Sequence, residues 1–245
     1  EEDLYLKDHC FDPDVSSADP DRERLSIVPL TVTVELMAEV ASLLVPDLKV
    51  VGVKHILAGK WIDVEPGGDK VVLEITATRS DHANQINVSV RGPDTEHSGD
   101  KDAPPATSEG VILFADSFPS PPPVEQDKLE NPRVPRHTAE QMYAHRHMFH
   151  GSRFQGVVSI DTVGEQGLLA QLEVLPTDDL LKSNSAPRFS VDPFLLDAAG
   201  QLVGYWPVEY LSEGYVLFPF RIHELMLFRE NLKPGERATC HLRIR

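Results

Sequence analysis

Residues 192–206 read DPFLLDAAGQLVGYW, and this stretch decides the fold. Asp192 followed by Pro193 is typical of a helix start, because an aspartate side chain caps the first amides and proline at the first helical position loses no hydrogen bond. The residues that follow are apolar on nearly every face, which indicates a helix buried under a sheet. The sequence therefore predicts a buried helix over Pro193–Trp206, with one carboxylate, Asp197, inside it.

A second apolar helix is predicted in the first half of the chain, over Pro29–Leu44. Its apolar residues recur every three or four positions and so share one helical face: Leu30, Val34, Met37, Ala41 and Leu44. Runs of β-type residues follow each helix. In the first half they are Val50–Leu57, Val71–Thr78 and Ile86–Val90, and in the second half Tyr215–Phe220, Leu225–Phe228 and Ala238–Ile244.

The two halves share a short internal similarity. One common shift along the chain maps His55 onto His223 and Pro66-Gly67 onto Pro234-Gly235, and each Pro-Gly pair is typical of a turn. A proline-rich segment, 118–136, lies between the halves and fits neither a helix nor a sheet interior. We therefore predict an α+β double hot-dog, in which two antiparallel sheets each wrap a long central helix. Its units are an N-terminal hot-dog over 1–117, the linker over 118–136 and a C-terminal hot-dog over 137–245.

Composition excludes several classes of protein. The 245 residues carry 23 Lys plus Arg against 39 Asp plus Glu, a formal net charge of −16, which argues against binding to nucleic acid or to an anionic membrane. No apolar run reaches the roughly 20 residues of a membrane span, and the start Glu1-Glu2-Asp3 is unlike a signal peptide. Two cysteines, Cys10 and Cys240, are too few for a disulfide framework, so a reducing, cytoplasmic setting is expected. The strand-like end Arg243-Ile244-Arg245 suggests a piece of a longer polypeptide.

Asp197 is the first candidate for chemistry. A charged carboxylate on a buried apolar helix is costly, so it is expected to be paired, hydrogen-bonded or protonated. Gln201 lies one turn further on and can orient the carboxyl group. A carboxyl group kept neutral by an apolar pocket can act as a general acid. The alternative, that Asp197 lies at a sheet edge and is solvated, stays open at this point.

Histidines form the second candidate group. His9 lies in Lys7-Asp8-His9-Cys10-Phe11, ahead of the first helix. His145, His147 and His150 are close in sequence, and strand alternation would place the first two on one face, as in a metal site. No acidic or thiol ligand lies near them in sequence, so we expect a polar loop there and no metal ion.

Arginine is concentrated in the same region. The stretch from Arg133 to Arg153 holds four arginines against one acid, Glu140. This pattern suggests either a surface for an acidic partner or a solvated basic face.

Several segments resemble motifs of one family. Leu196-Asp197-Ala198-Ala199-Gly200-Gln201 is similar to the Asp-x-x-x-Gln helix motif of polyketide synthase dehydratase domains, and Phe218-Pro219-Phe220-Arg221 to their Leu-Pro-Phe strand motif. Residues Phe149–Gln155 stand where the family has Gly-Tyr-Gly-Pro-x-Phe. Lys7-Asp8-His9 resembles the catalytic histidine segment, and Pro29 the proline that closes it. These segments are most similar in sequence to dehydratase domains of type I iterative synthases that make enediyne-type or polyunsaturated chains.

The resemblance implies a hydro-lyase that removes water from a β-hydroxyacyl thioester and gives the α,β-enoyl thioester. It implies His9 as base and Asp197 as acid, with Gln201 and His150 supporting them. The substrate-binding residues that it implies are Pro29, Gly151, Phe154 and Pro219. The substrate would be carried on the phosphopantetheine arm of an acyl carrier protein, with no intrinsic cofactor. The implied partners are this carrier protein and the other domains of one megasynthase. The chain could also form a homodimer. Neither nucleic acid nor membrane is expected as a partner.

Two other functions stay open. A double hot-dog with the same histidine and aspartate could shape or cyclise a polyketide without dehydrating it. Alternatively, the chain could be a silent scaffold that docks other domains. Pro13 stands where the family has a glycine whose amide would hold the thioester carbonyl, and proline has no amide hydrogen.

Overall fold

The computed structural model describes residues 2–11, 25–64, 70–92, 106–123, 128–210 and 217–245. Within these ranges the α-helices are α1 (Leu30–Ser42), α2 (Ala139–Ala144) and α3 (Pro193–Tyr210). The strands are β1 (Cys10–Phe11), β2 (Leu25–Ile27), β3 (Lys49–Ala58), β4 (Asp63–Val64), β5 (Glu74–Arg79), β6 (Gln85–Arg91), β7 (Ser108–Ala115), β8 (Val157–Gly164), β9 (Gly167–Glu173), β10 (Arg221–Met226) and β11 (Arg237–Arg243). Short 3-10 helices cover Leu4–Asp8 and Ser152–Phe154. None of the helices in the described ranges is both long and apolar enough to cross a membrane.

Helix α1 packs on a five-stranded antiparallel sheet of order β10-β3-β7-β6-β5. Its buried face carries small and medium apolar side chains that meet the inward-facing residues of the sheet: Val34, Met37, Ala38 and Ala41 against Val53, Ile56 and Ile112. The helix begins directly after Pro29, as predicted, because proline ahead of the first turn costs no helical hydrogen bond.

Helix α3 packs on a second antiparallel sheet, of order β11-β9-β8, and it also contacts α1. Its inner face and this sheet form a separate core: Ala198, Leu202 and Tyr205 with Val163, Leu168 and Ala170. Two antiparallel sheets that each cover a long apolar helix confirm the predicted α+β double hot-dog. The helix continues past Trp206 to Tyr210, because Glu209 in the last turn accepts hydrogen bonds from Arg133 and from the backbone amide of Arg136.

Strand β10 joins the two halves. It is hydrogen-bonded to β3 of the first half, although its sequence position follows the second helix. Gly52 permits this close pairing, because a Cβ atom there would lie 2.4 Å from the carbonyl oxygen of Leu225. The rings of His55 and His223, which the internal similarity relates, lie opposite each other with centroids 5.3 Å apart. A twofold axis between two copies of one unit would produce this antiparallel register. The unit boundaries at 117 and 137 stay a prediction.

Several local features differ from the sequence prediction. Strands β1, β2, β4, β7, β8 and β9 were not predicted, and the strand predicted over Leu225–Phe228 begins earlier and ends earlier, as β10. The predicted strand over Tyr215–Phe220 is not formed at residues 217–220, where Pro219 lacks an amide hydrogen, and residues 215 and 216 lie outside the described ranges. Pro66-Gly67 and Pro13 also lie outside these ranges, whereas Pro234-Gly235 forms a turn before β11. The proline-rich segment contains neither helix nor named strand over residues 118–123 and 128–136.

Candidate active site

Helix α3 carries two polar side chains at the site, Asp197 and Gln201, and begins directly after Asp192. The Asp192 carboxylate caps the helix by accepting the amides of Phe194 and Leu195, each at 3.0 Å. One turn later the Asp197 side chain is 13% exposed. The amide nitrogen Nε2 of Gln201 donates to Asp197 Oδ2 at 2.8 Å and to the backbone oxygen of Phe154 at 2.8 Å. The carboxyl group is therefore held in one orientation by a residue on its own helix.

His150 is the second partner of Asp197. Its Nε2 lies 3.2 Å from Asp197 Oδ2, and its ring stacks on Phe149 with centroids 4.1 Å apart. The other ring nitrogen, Nδ1, is buried and has no hydrogen-bond partner among the described residues. A buried polar atom without a partner is costly, so this nitrogen suits a polar group that binds at the site.

His9 approaches from the other half of the chain. It follows the 3-10 helix Leu4–Asp8, and its Nδ1 lies 2.7 Å from the carbonyl oxygen of Ile27. Because a carbonyl oxygen only accepts, Nδ1 carries the hydrogen and Nε2 is the basic atom. Burial lowers the pKa of His9 to about 4, although the charge of Asp197 acts in the opposite direction. His9 is therefore a neutral base near pH 7.

Asp8 joins the histidine segment to the loop that carries His150. The Asp8 carbonyl accepts the amide of Gly151 at 2.8 Å, and its carboxylate accepts the amide of Arg153 at 3.1 Å and the Arg153 guanidinium at 2.9 Å. A Cβ atom on Gly151 would lie 2.3 Å from Asp8 Oδ1, so only glycine permits this approach. Arg153 also pairs with Asp179 at 3.0 Å.

These contacts bring three titratable groups together. One nitrogen of His9, one nitrogen of His150 and one oxygen of Asp197 all lie within 4.8 Å of one another. The rings of Phe149 and Phe154 lie 5.0 Å and 5.3 Å from that of His9, so the site has apolar walls. A neutral imidazole and a carboxyl group held this close together can remove one proton and donate another.

The protonation state of Asp197 corrects one expectation. The sequence predicted a carboxyl group kept neutral by an apolar pocket. Burial does raise the pKa of Asp197, but the hydrogen bond and charge of His150, the charge of His9 and the Gln201 amide outweigh it, so the pKa lies below its ordinary value. Since His9 is neutral near pH 7, its charge does not lower the pKa of Asp197 there, and the contacts with His150 and Gln201 remain. The sequence spacing gave no sign of the contact with His150.

The other predicted site residues fall into two groups. Gly151 and Phe154 lie at the site, and Pro29 is buried two residues after Ile27, which holds His9. Pro219 is exposed, beside Phe218, whose ring packs against Trp61 at 5.0 Å. Among the described residues, no contact joins Pro219 to the acid–base groups.

The histidines that are close in sequence separate in space. Residues 139–144 form α2 rather than a strand, because Thr138 and Gln141 make a capping box at its start. His145 and His147 therefore follow a helix and lie beside His137, whereas His150 turns to Asp197. The predicted strand alternation is wrong at this place.

Sequence reasoning missed two residues that position the site. The hydroxyl of Tyr143 donates to Gln201 Oε1 at 2.8 Å and accepts the amide of Val157 at 3.2 Å. It thus fixes the amide that orients Asp197. Asp8 was quoted only as a neighbour of His9. Both depend on contacts between distant segments, for which the sequence offered no local signal.

Comparisons with known proteins identify a family and a fold for the chain. A sequence model described as "Polyketide synthase dehydratase N-terminal domain" matches residues 117–245. No curated protein matches the chain. The dehydratase domain from the CurJ module of curacin polyketide synthase is 16% identical with a TM-score of 0.66, over 96% of this chain and 74% of that chain. A trans-AT dehydratase domain from Brevibacillus brevis is 16% identical with a TM-score of 0.65, over 93% of this chain and 74% of that one.

Two structures of the CurK dehydratase are also similar. Both are described as inactive mutants, one with histidine changed to phenylalanine and one with aspartate changed to asparagine. Each is 18% identical and covers 90% of this chain, with TM-scores of 0.60 and 0.61 over 74% and 73% of those chains. At these identities the likeness concerns the fold.

Proposed function

The chain belongs to the polyketide synthase dehydratase family, and on this basis we propose that it removes water from a β-hydroxyacyl thioester. The substrate is carried on the phosphopantetheine arm of an acyl carrier protein, and the product is the α,β-enoyl thioester. The observation that carries this proposal is the meeting of His9, His150 and Asp197 within 4.8 Å. The CurK structures add support, since a histidine and an aspartate are the residues changed in those inactive mutants.

His9 is the base in this proposal. Its Nε2 takes a proton from C2, while its Nδ1–H stays bonded to the carbonyl oxygen of Ile27. That bond keeps the ring in one tautomer and one orientation, which a general base requires. A backbone amide at the start of α1, just after Pro29, would polarise the thioester carbonyl and stabilise the charge that develops at C2.

Asp197 is the acid. Hydroxide is a poor leaving group, so the C3 oxygen must receive a proton as its bond to carbon breaks. Both hydrogen bonds to Asp197 among the described residues end on Oδ2, so Oδ1 is the oxygen that faces the substrate hydroxyl. We assign the proton to the hydrogen-bonded His150–Asp197 pair, from which the carboxyl group delivers it to the leaving oxygen.

Over one turnover, each group of the site returns to its starting protonation state. One proton leaves C2 for His9 and one leaves the His150–Asp197 pair with the hydroxyl group as water. Protonated His9 and ionised Asp197 then lie close together, and their attraction stabilises the state that elimination produces. Return of the His9 proton to the pair restores the starting state.

Mass spectrometry of a carrier-bound substrate tests the proposal. A β-hydroxyacyl chain on an acyl carrier protein is incubated with the protein, and the acyl group should lose the mass of one water. Enoyl product must appear faster than in a reaction without the protein. If the protein binds the carrier but dehydrates none of a series of chain lengths, the dehydratase function is wrong.

A further inference from the structure

Three imidazoles meet outside the acid–base site. His137 lies just before α2, and His145 and His147 lie just after it. One ring nitrogen of each lies within 4.8 Å of one ring nitrogen of each other. The ring centroids of His137 and His147 are 4.5 Å apart, and those of His145 and His147 are 5.8 Å apart. Tyr205 on α3 borders the group.

The short helix α2 explains why these residues meet. At its start, the Thr138 hydroxyl accepts the Gln141 amide at 3.1 Å. At its end, the His145 amide donates to the Gln141 carbonyl at 2.9 Å and the His147 amide donates to the Met142 carbonyl at 3.0 Å. One helical segment therefore turns the residues at its two ends toward the same place.

His137 has an oxygen atom beside its Nδ1, as a metal-binding histidine usually has beside the nitrogen that does not bind the ion. The Tyr205 hydroxyl donates to Glu209 Oε1, so its oxygen accepts the hydrogen of His137 Nδ1 at 3.3 Å. Nε2 of His137 then keeps its lone pair. Metal-ligating histidines commonly donate their other N–H to such a partner, which fixes the tautomer and ring orientation. Glu209 is itself held by Arg133 at 2.7 Å.

His147 supplies an independent observation. Its Nε2 is buried and has no hydrogen-bond partner among the described residues. A buried nitrogen without a partner is costly, and a bound metal ion would satisfy it. The expectation of no metal ion changes here, because His137 supplies a third imidazole and three imidazoles can bind zinc without an acidic or thiol ligand.

We propose that His137, His145 and His147 bind a divalent transition-metal ion, Zn²⁺ in the first instance, with water at the fourth position. Zinc holds imidazole nitrogens at about 2.0–2.1 Å, and the three nitrogens here lie within 4.8 Å of one another, with the His145 ring exposed and able to adjust its position. The ion links the two ends of α2, and the hydrogen bond of His137 to Tyr205 connects it to α3, about two turns along that helix from Asp197. Its role is structural, and it takes no part in the elimination.

Titration with Co²⁺ tests this site without an activity assay. Protein freed of any affinity tag is titrated with Co²⁺, and its visible d–d absorption is recorded; Zn²⁺ is then added in competition. We expect saturation at one ion per chain with a tetrahedral spectrum. His137→Ala and His147→Ala should weaken binding at least about a hundredfold, and Tyr205→Phe about tenfold, because it removes only the orienting hydroxyl. His241→Ala, at an exposed histidine of β11, is the matched control and should bind as the wild type does.

Two results would overturn the proposal. The first is unchanged Co²⁺ affinity in His147→Ala. The second is loss of binding in His150→Ala with binding kept in His147→Ala, which would place the ion beside His9 and Asp197. If His147→Ala does not fold, His145→Gln at the exposed ligand replaces it, and it must show the same loss while circular dichroism of the metal-free protein stays unchanged.

Discussion

The backbone amide of Gly151 donates a 2.8 Å hydrogen bond to the carbonyl oxygen of Asp8, and this contact joins the His9 segment to the His150 loop. His9 and His150 come from opposite halves of the chain, so the distance between their rings depends on this contact. A methyl group on Gly151 would lie 2.3 Å from Oδ1 and 2.8 Å from Cβ of Asp8. Asp8 cannot simply turn away, because its carboxylate also holds Arg153.

Gly151→Ala should therefore lower the dehydration rate at least about tenfold and destabilise the protein by about 1–3 kcal/mol, the usual cost of overpacking. Gly200→Ala is the matched control: it lies on α3 with no atom within 4 Å of an added Cβ. It should keep its activity and gain about 0.5–1 kcal/mol of helix stability. Thermal unfolding and initial rates of both variants check this. Equal activity of the two alanine variants would contradict the role of the contact between Gly151 and Asp8.

Tyr143 and Gln201 should act as one unit. Tyr143→Phe leaves Gln201 Oε1 and the Val157 amide without their partner, and Gln201→Ala removes the amide that orients Asp197. Each change should reduce the rate less than the loss of Asp197, since neither residue transfers a proton. A double-mutant cycle measures their coupling, expected at about 0.5–3 kcal/mol in the activation free energy. Additive effects would show that Tyr143 does not work through Gln201.

Much of this arrangement could be predicted from the sequence, and the limit has a physical cause. Helices α1 and α3 have apolar periodicity and proline at their starts, so their positions were local information. The spacing of Asp197 and Gln201 on one helix face was local too. The contact of Asp8 with Gly151 and that of Tyr143 with Gln201 bring together segments that are far apart in the chain. Composition and periodicity carry no signal for such contacts.

Strand pairing shows the same limit. The β-type character of residues 221–226 was partly visible, but periodicity does not say which sheet a strand joins. The pairing of β10 with β3 depends on the absence of a side chain at Gly52. Likewise, the hydrogen bonds and charges that His150, His9 and Gln201 bring to Asp197 together outweigh the burial that the apolar helix predicted, so the pKa of the carboxyl group lies below its ordinary value.

The acid limb of the pH–rate profile should lie at an unusually low pH. Burial holds the pKa of His9 at about 4, so the base stays neutral and active well below the ordinary histidine value of about 6.5. Protonation removes the base, so kcat/KM should stay nearly level from about pH 7 to pH 5 and fall only near the pKa of the buried ring. A base with an ordinary pKa would lose about thirtyfold over the same range. NMR titration of the His9 ring checks the assignment, and an acid limb near pH 6.5 would contradict it.

The alkaline limb of the same profile reports on the Asp197 carboxyl group, whose pKa is lowered by the hydrogen bond and charge of His150. His150→Phe keeps an aromatic ring against Phe149 but removes that hydrogen bond and charge. The pKa of Asp197 should then rise, so the alkaline limb should move to higher pH, and kcat should fall because the carboxyl group loses one of the contacts that position it. His241→Phe, at an exposed position, is the control and should leave both limbs in place. An unchanged alkaline limb in His150→Phe would show that His150 does not act on the acid.

If an acidic carrier protein docks on the segment from Arg133 to Arg153, we expect it to contact two of the four arginines there. Arg136 and Arg146 are exposed, whereas Arg133 and Arg153 are partly buried. Acidic carrier proteins would be steered by this exposed charge. Charge reversal to glutamate at both exposed positions should slow turnover of carrier-bound substrate and spare a small thioester mimic. The same reversal at exposed Arg229 and Arg245 should affect neither substrate, and an equal loss on both substrates in the Arg136/Arg146 variant would refute docking at this face.

Single-turnover dehydration by His9→Ala and Asp197→Asn tests the central claim most directly. Asparagine can accept the same hydrogen bonds from Gln201 and His150, so Asp197→Asn should fold. It should unfold somewhat below the wild-type temperature near pH 7, because the lowered pKa of Asp197 means that the folded protein stabilises the ionised carboxyl group. Mass spectrometry of the carrier-bound acyl chain gives the rate of water loss for each protein. The account predicts that each substitution lowers this rate by about a hundredfold to ten-thousandfold, the usual contribution of a general acid or base. If both folded variants release water at nearly the wild-type rate, His9 and Asp197 are not the acid–base pair.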